Sequence, residues 1–119
     1  MSKRIVLSCC SLLIIALVVL GKHAPVAHAQ TTIVATDVGT ITGYTVGWDA
    51  DQVLVSTTAP ALANGCAASD GYITNPSAAG NHTYQAALLA AFLSGKHVQL
   101  VLRGCYNDRP QIIGVNLSN

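Results

Sequence analysis

The chain has 119 residues; 51% are hydrophobic, 9% are charged, and the formal net charge is +1. That charge is uneven: residues 1–29 carry Lys3, Arg4 and Lys22 and no acid, which leaves Lys96, Arg103 and Arg109 against Asp37, Asp49, Asp51, Asp70 and Asp108 in residues 30–119, a net −2. A basic nucleic-acid binder is excluded, because nothing could neutralise a row of phosphates, and the scarcity of charge beside abundant apolar residues excludes a disordered chain.

The first segment reads as an address. Lys3 and Arg4 precede an apolar stretch, Ile5 to Leu20, and the chain then turns small and mixed up to Ala27-His28-Ala29. Positive start, apolar middle and small-x-small end make a secretory signal peptide over residues 1–29, with cleavage before Gln30. A membrane anchor would need about 20 apolar residues and would leave the small-residue site unexplained. Cys9 and Cys10 leave with the leader. A lipoprotein reading of Val6-Leu7-Ser8-Cys9 fails because the apolar segment follows that cysteine. The expected product is secreted or periplasmic, with no membrane attachment, and residues 30–119 are enough for one domain with a single core.

In chain order, Gln30–Val46 is rich in Thr, Val and Ile, which is strand composition. Gly39, Gly43 and Gly47 recur along it and permit bends. Trp48-Asp49-Ala50-Asp51 reads as a turn. Gln52–Thr58 is a second strand with Val53 and Val55 on one face, and Pro60–Ser69 is a loop. Gly71–Thr74 is a short third strand stopped by Asn75-Pro76. Asn81–Ser94 changes period: Tyr84, Leu88 and Phe92 fall four apart, with Asn81 as N-cap and Gly95 as the terminating glycine. Val98–Arg103 is a fourth strand with Val98, Leu100 and Leu102 on one face. Gly104–Pro110 is a polar turn, and Gln111–Leu117 is a fifth strand with Ile113, Val115 and Leu117 sharing a face.

The order strand, strand, strand, helix, strand, strand, with a long bent first strand, is that of a five-stranded OB-fold-like barrel. Closure also removes the exposed edges of an open sheet. The competing architecture is a bent α+β sheet with the helix across one face. Cys66 stands just before the third strand and Cys105 just after the fourth, and an isolated cysteine pair in an exported chain predicts one disulfide. Zinc would need more ligands than two thiols and the scattered His82 and His97.

Gly71-Tyr72-Ile73-Thr74 leads into a helix ending Phe92-Leu93-Ser94-Gly95-Lys96-His97-Val98, which runs straight into a strand. Over residues 70–103 this resembles the B subunits of subtilase-cytotoxin-type AB5 toxins. The resemblance implies a small exported OB-fold protein, a homo-oligomer of five, a cell-surface glycan as ligand and an exported catalytic subunit as partner. The chain is shorter than those subunits and lacks their C-terminal cysteine-containing extension and aromatic-rich helix.

Candidate chemistry is sparse. His82 and His97 flank the helix about four turns apart and have no partner nearby in sequence for acid–base work. Ser69-Asp70 and Ser77 lack a nucleophile-elbow motif. Asp49 and Asp51 supply too few oxygens for calcium, and no glycine-rich phosphate loop is present. No catalytic residue, metal or cofactor is therefore assigned. Thr42, Tyr44 and Trp48 share strand parity, and aromatic rings beside hydroxyls are the chemistry of a sugar platform; the alternative places Trp48, the only tryptophan, in the core or an interface. Tyr106-Asn107-Asp108-Arg109 forms a polar tip between the last strands, where binding residues concentrate, though a plain solvated turn accounts for it as well. Two functions follow as expectations: a secreted, non-enzymatic module binding a glycan or a protein, or a periplasmic or cell-surface structural protein using its barrel for protein contacts alone.

Overall fold

A computed structural model describes residues 32–119; the signal peptide expected at 1–29 lies outside the described residues. The elements are β1 (Ile33–Ala35), β2 (Gly39–Val46), β3 (Val53–Thr57), β4 (Tyr72–Ile73), α1 (Asn81–Ser94), β5 (His97–Tyr106) and β6 (Arg109–Ser118). β2, β3, β4, β6 and β5 pair in succession, and β5 pairs back onto β2, so five strands form a ring with β1 added beside β5. Every pairing is antiparallel except β4 with β6, which meet in parallel at Ile73 and Gln111. The described residues are mainly β with a single helix, and that helix enters the ring between β4 and β5 as the OB-fold-like order requires.

The long first strand divides in two. Thr36 is buried, and it replaces the ladder locally: its N–H donates to Leu100 O (2.9 Å), while its Oγ1 accepts from Leu100 N (3.0 Å) and donates to Asp37 O (2.8 Å). A side-chain hydroxyl competing for strand hydrogen bonds breaks the strand, so the element order is β-β-β-β-α-β-β. Both halves still lie along β5, Ile33–Ala35 opposite Val101–Arg103 and Gly39–Thr40 opposite His97–Val98. A second irregularity falls between Ile41 and Gly43.

Val53, Val55, Tyr72, Leu88, Ala91, Val98, Leu100, Leu102 and Ile112 make the core. The faces expected for β3 and β5 are the faces buried. That of β6 needs correcting, because Ile112 points inward and Ile113 does not. Val101 pairs with Gly114 and Leu102 with Ile112, leaving Ile113 as the extra residue of a β-bulge. The bulge resets parity, so that Ile112 and Val115 both pack on the core although they stand an odd three positions apart. β5 also runs farther than expected. Asn107 and Asp108 take φ of 44° and 64°, which closes a two-residue hairpin directly on the Tyr106–Arg109 pair.

The helix has the expected bounds and ends on left-handed Gly95 (φ 67°). Its cap is Gly80; Asn81 is the first helical residue and instead donates from Nδ2 to Asp51 O (2.9 Å), pinning α1 to the β2–β3 turn. The buried stripe is Asn81, Leu88 and Ala91, so Phe92 lies at the margin. α1 contains no charged residue, and Leu89, Phe92 and Leu93 stay exposed. No described helix is long and apolar enough to cross a membrane.

Candidate functional site

Three loops meet at one end of the ring. Gln52, buried at the foot of the β2–β3 turn, accepts at Oε1 from Asn107 Nδ2 (3.0 Å) in the β5–β6 turn. Ala68 N donates to Asp108 O (2.8 Å), so the β3–β4 loop is tied to the same turn. The Cys66–Cys105 disulfide links that loop covalently to β5.

Trp48 stands on this end, 57% exposed. Its backbone is left-handed (φ 68°), as is that of Asp49 (φ 59°), and Gly47 before it has φ 96°. A bulky side chain at positive φ is costly, about 1–3 kcal/mol, and such outliers gather at functional sites. Arg109 lies over the indole ring, its guanidinium carbon 5.7 Å from the centroid, within cation–π reach. Asp70 holds that guanidinium from the other side: Arg109 Nε donates to Asp70 Oδ1 (2.7 Å) and Nη2 to Oδ2 (2.8 Å). This fork is bidentate and planar, the arrangement that fixes an arginine most firmly. The hydrogen bond from Arg109 holds the Asp70 carboxyl below the usual carboxylate range.

Asp70 also borders a small cleft of about 180 Å³ between β3 and the β3–β4 loop, with Ser56, Thr57 and Ser69 on its walls. Thr57 Oγ1 is buried there without a hydrogen-bond partner. The end of the ring thus presents an apolar ring, a fixed charge pair and neighbouring hydroxyls.

The residues singled out from the sequence are not gathered at one point. Tyr44 turns toward the helix: its ring stacks on Phe92 (centroids 5.8 Å apart, 14° between planes) and its hydroxyl donates to Gln85 O (3.2 Å). Burial pushes the Tyr44 phenol pKa up. Thr42 is exposed, but the irregularity between Ile41 and Gly43 interrupts the alternation on its side. Left-handed backbone at Gly47 and Trp48 does the same between Tyr44 and Trp48. Asp70 and Arg109 were each visible in sequence, in Ser69-Asp70 and in the Tyr106–Arg109 tip, but nothing local paired them, because 39 residues separate them; only the strand pairing brings them beside Trp48.

His82 finds a partner that sequence neighbours did not supply. Its Nδ1 is 3.5 Å from Asp51 Oδ2, yet the two side chains are 86% and 53% exposed, so water screens the contact. Among the described residues, no group of three or more metal-ligating side chains comes together. No protein-family model matches this chain, and comparison with curated proteins finds no similar one.

Proposed function

We propose that the protein is a secreted, non-enzymatic binding module whose loop end recognises a cell-surface glycan, in the manner that its resemblance to AB5 toxin B subunits implies. The observation that carries this reading is Trp48: an exposed indole on strained backbone, clamped beneath an arginine that is itself locked by Asp70. An aromatic face excludes water from the apolar side of a pyranose, while adjacent charged and hydroxyl groups satisfy its hydroxyls. The loops between ring strands are also where OB-folds bind oligosaccharides and oligonucleotides, and the net charge disfavours the latter.

Trp48→Ala tests the reading. Glycan-array binding should disappear while the thermal melt moves little, since an exposed substitution changes stability by about 0.5 kcal/mol or less. A variant that binds the array like the parent rejects Trp48 as the ligand platform. Should the variant unfold, the side chain is structural and the reading fails equally.

One observation favours the second reading, a structural or assembly protein. The exposed Leu89, Phe92 and Leu93 lie on a helix without charge, and apolar surface of that kind marks protein contacts. Homo-oligomers close by rotational symmetry, so either reading allows a closed assembly; the ring of five and the exported catalytic partner belong to the first reading, through its resemblance. Light scattering at micromolar concentration should return an oligomer; a monomer mass removes this support for the toxin-like reading.

A further inference from the structure

Beside the β5–β6 hairpin lies a cavity of about 510 Å³ whose lining includes neither Trp48 nor Arg109. That volume is within the ordinary range for small-molecule sites. Two bulges shape its wall. Arg103 and Gly104 together stand opposite Gln111, since Leu102 pairs with Ile112 and Cys105 with Pro110, and Ile113 is the extra residue one step along. Bulges re-aim side chains and recur beside binding sites. Here they bring Arg103, Gln111 and Ile113 into one lining.

Tyr84 and the segment before α1 form the opposite wall. The phenol of Tyr84 lies over the α-carbon of Gly80, so close that a Cβ there would collide with the far end of the ring. Asn75 Nδ2 donates to Gln111 Oε1 (3.1 Å) and Asn75 Oδ1 accepts from Ser77 N (2.9 Å). Both acceptors are thereby engaged, and the Gln111 amide N–H groups are left to donate. The Arg103 side chain makes no ion pair or hydrogen bond among the described residues, unlike that of Arg109.

We propose that this cleft binds a ring-sized organic monocarboxylate, with the carboxylate on Arg103 and the Gln111 amide and the ring on Tyr84. The chemistry of the lining selects this class. The lining holds one cation and no acid, so a single negative charge is matched and an ammonium group is not. Arginine is the side chain whose donor geometry fits a carboxylate, and a net −2 over residues 30–119 opposes polyanions. Tyr84 and Ile113 provide apolar contact that acetate could not use. A sugar acid and an aromatic acid share this chemistry.

The experiment is an amide chemical-shift titration of the full chain, expressed with export and 15N-labelled, against sodium glucuronate, sodium benzoate, sodium acetate and glucose at constant ionic strength. Saturable shifts at Asn75, Ser77, Gly80 and Gln111 are expected with glucuronate or benzoate, and whichever binds identifies the source. Arg103→Gln should weaken binding about tenfold or more. Gly80→Ala should also weaken it by displacing the Tyr84 ring, while the φ of −89° accepts alanine without strain. Trp48→Ala should leave these shifts unchanged, which separates this site from the proposed glycan surface. Absence of saturable shifts with both ring acids overturns the proposal. So does equal binding of acetate or glucose, an unchanged affinity in Arg103→Gln, or loss of the shifts in Trp48→Ala.

Discussion

The wall of the ring and its loop end are held by different forces. In the wall, Val53, Val55, Val98, Leu100, Leu102 and Ile112 are almost wholly buried against one another and against Leu88 of the helix; stability there is removal of apolar surface from water. At the loop end, Trp48, Asp49, Asn107 and Asp108 all take positive φ, and individual bonds do the holding: Gln52 to Asn107, Ala68 to Asp108, Arg109 to Asp70, and one disulfide. Apolar packing is non-directional and tolerates any loop that lets it form. Directional bonds hold a conformation that its own residues disfavour, which is what a surface shaped for a partner needs.

Leu100→Ala strikes the wall and should have the largest effect. A buried leucine truncated in a packed core costs about 3–5 kcal/mol, comparable to the whole stability of a small domain, about 5–10 kcal/mol. The chemical-denaturation midpoint should fall steeply, with wall and loop end melting together; a loss below about 1 kcal/mol would mean that Leu100 is not packed as described.

Replacing Cys66 and Cys105 by serine attacks the loop end through the unfolded state. Opening a loop of 39 residues removes about 4 kcal/mol in the chain-entropy model, and measured values often fall below that. The comparison is sharpened by probe: emission of Trp48, the only tryptophan, should change at lower denaturant than far-UV circular dichroism does. Coincident transitions in the double variant would show that the end has no separate stability.

Trp48→Gly moves stability in the opposite direction. Glycine adopts left-handed φ freely, so relief of strain should raise stability by about 1 kcal/mol, or about 4–8 °C in a domain of this size, while glycan binding is lost. A fall in melting temperature would mean that indole contacts outweigh the strain.

The smallest effect is on pH. The Arg109 bond holds the Asp70 carboxyl below the usual range, so ionised Asp70 is favoured in the folded state. Its contribution is complete above the ordinary aspartate value, near pH ~4, and is lost as pH falls through the lower folded value. Trp48 emission should therefore change in acid, and Asp70→Asn should abolish that change; an identical acid profile in the variant would detach the charge pair from the indole.

The same division explains what was legible beforehand. Val53 and Val55, or Val98, Leu100 and Leu102, alternate cleanly, and hydrophobic periodicity reports their burial. The helix end was legible to the residue because Gly95 follows an apolar segment, whereas its cap proved to be Gly80 rather than Asn81. Ile112 and Ile113 are both apolar, so alternation could not say which points inward until a bulge chose. Thr36 looks like any strand threonine until its hydroxyl meets Leu100. At the loop end, Trp48 was visible as a residue type, but Arg109 reaches it only across the hairpin and Asp70 only across the sheet. Side-chain partners made by tertiary pairing leave no local signal.

β5 is the partner of β1, β2 and β6 at once, and this governs the order in which the chain can fold. A chain supplied from its N-terminus holds β2, β3 and β4 before β5 or β6 exists, so their inward residues have nothing to close on. Val53 and Ile73 are buried in the folded ring, and residues 109–118 complete its circuit through the parallel contact at Gln111. Non-local pairing of this kind is slow, because loop-closure entropy is lost before any contact rewards it. For a protein that we propose is exported, that slowness is an asset: the chain remains threadable until its last ring strand is free.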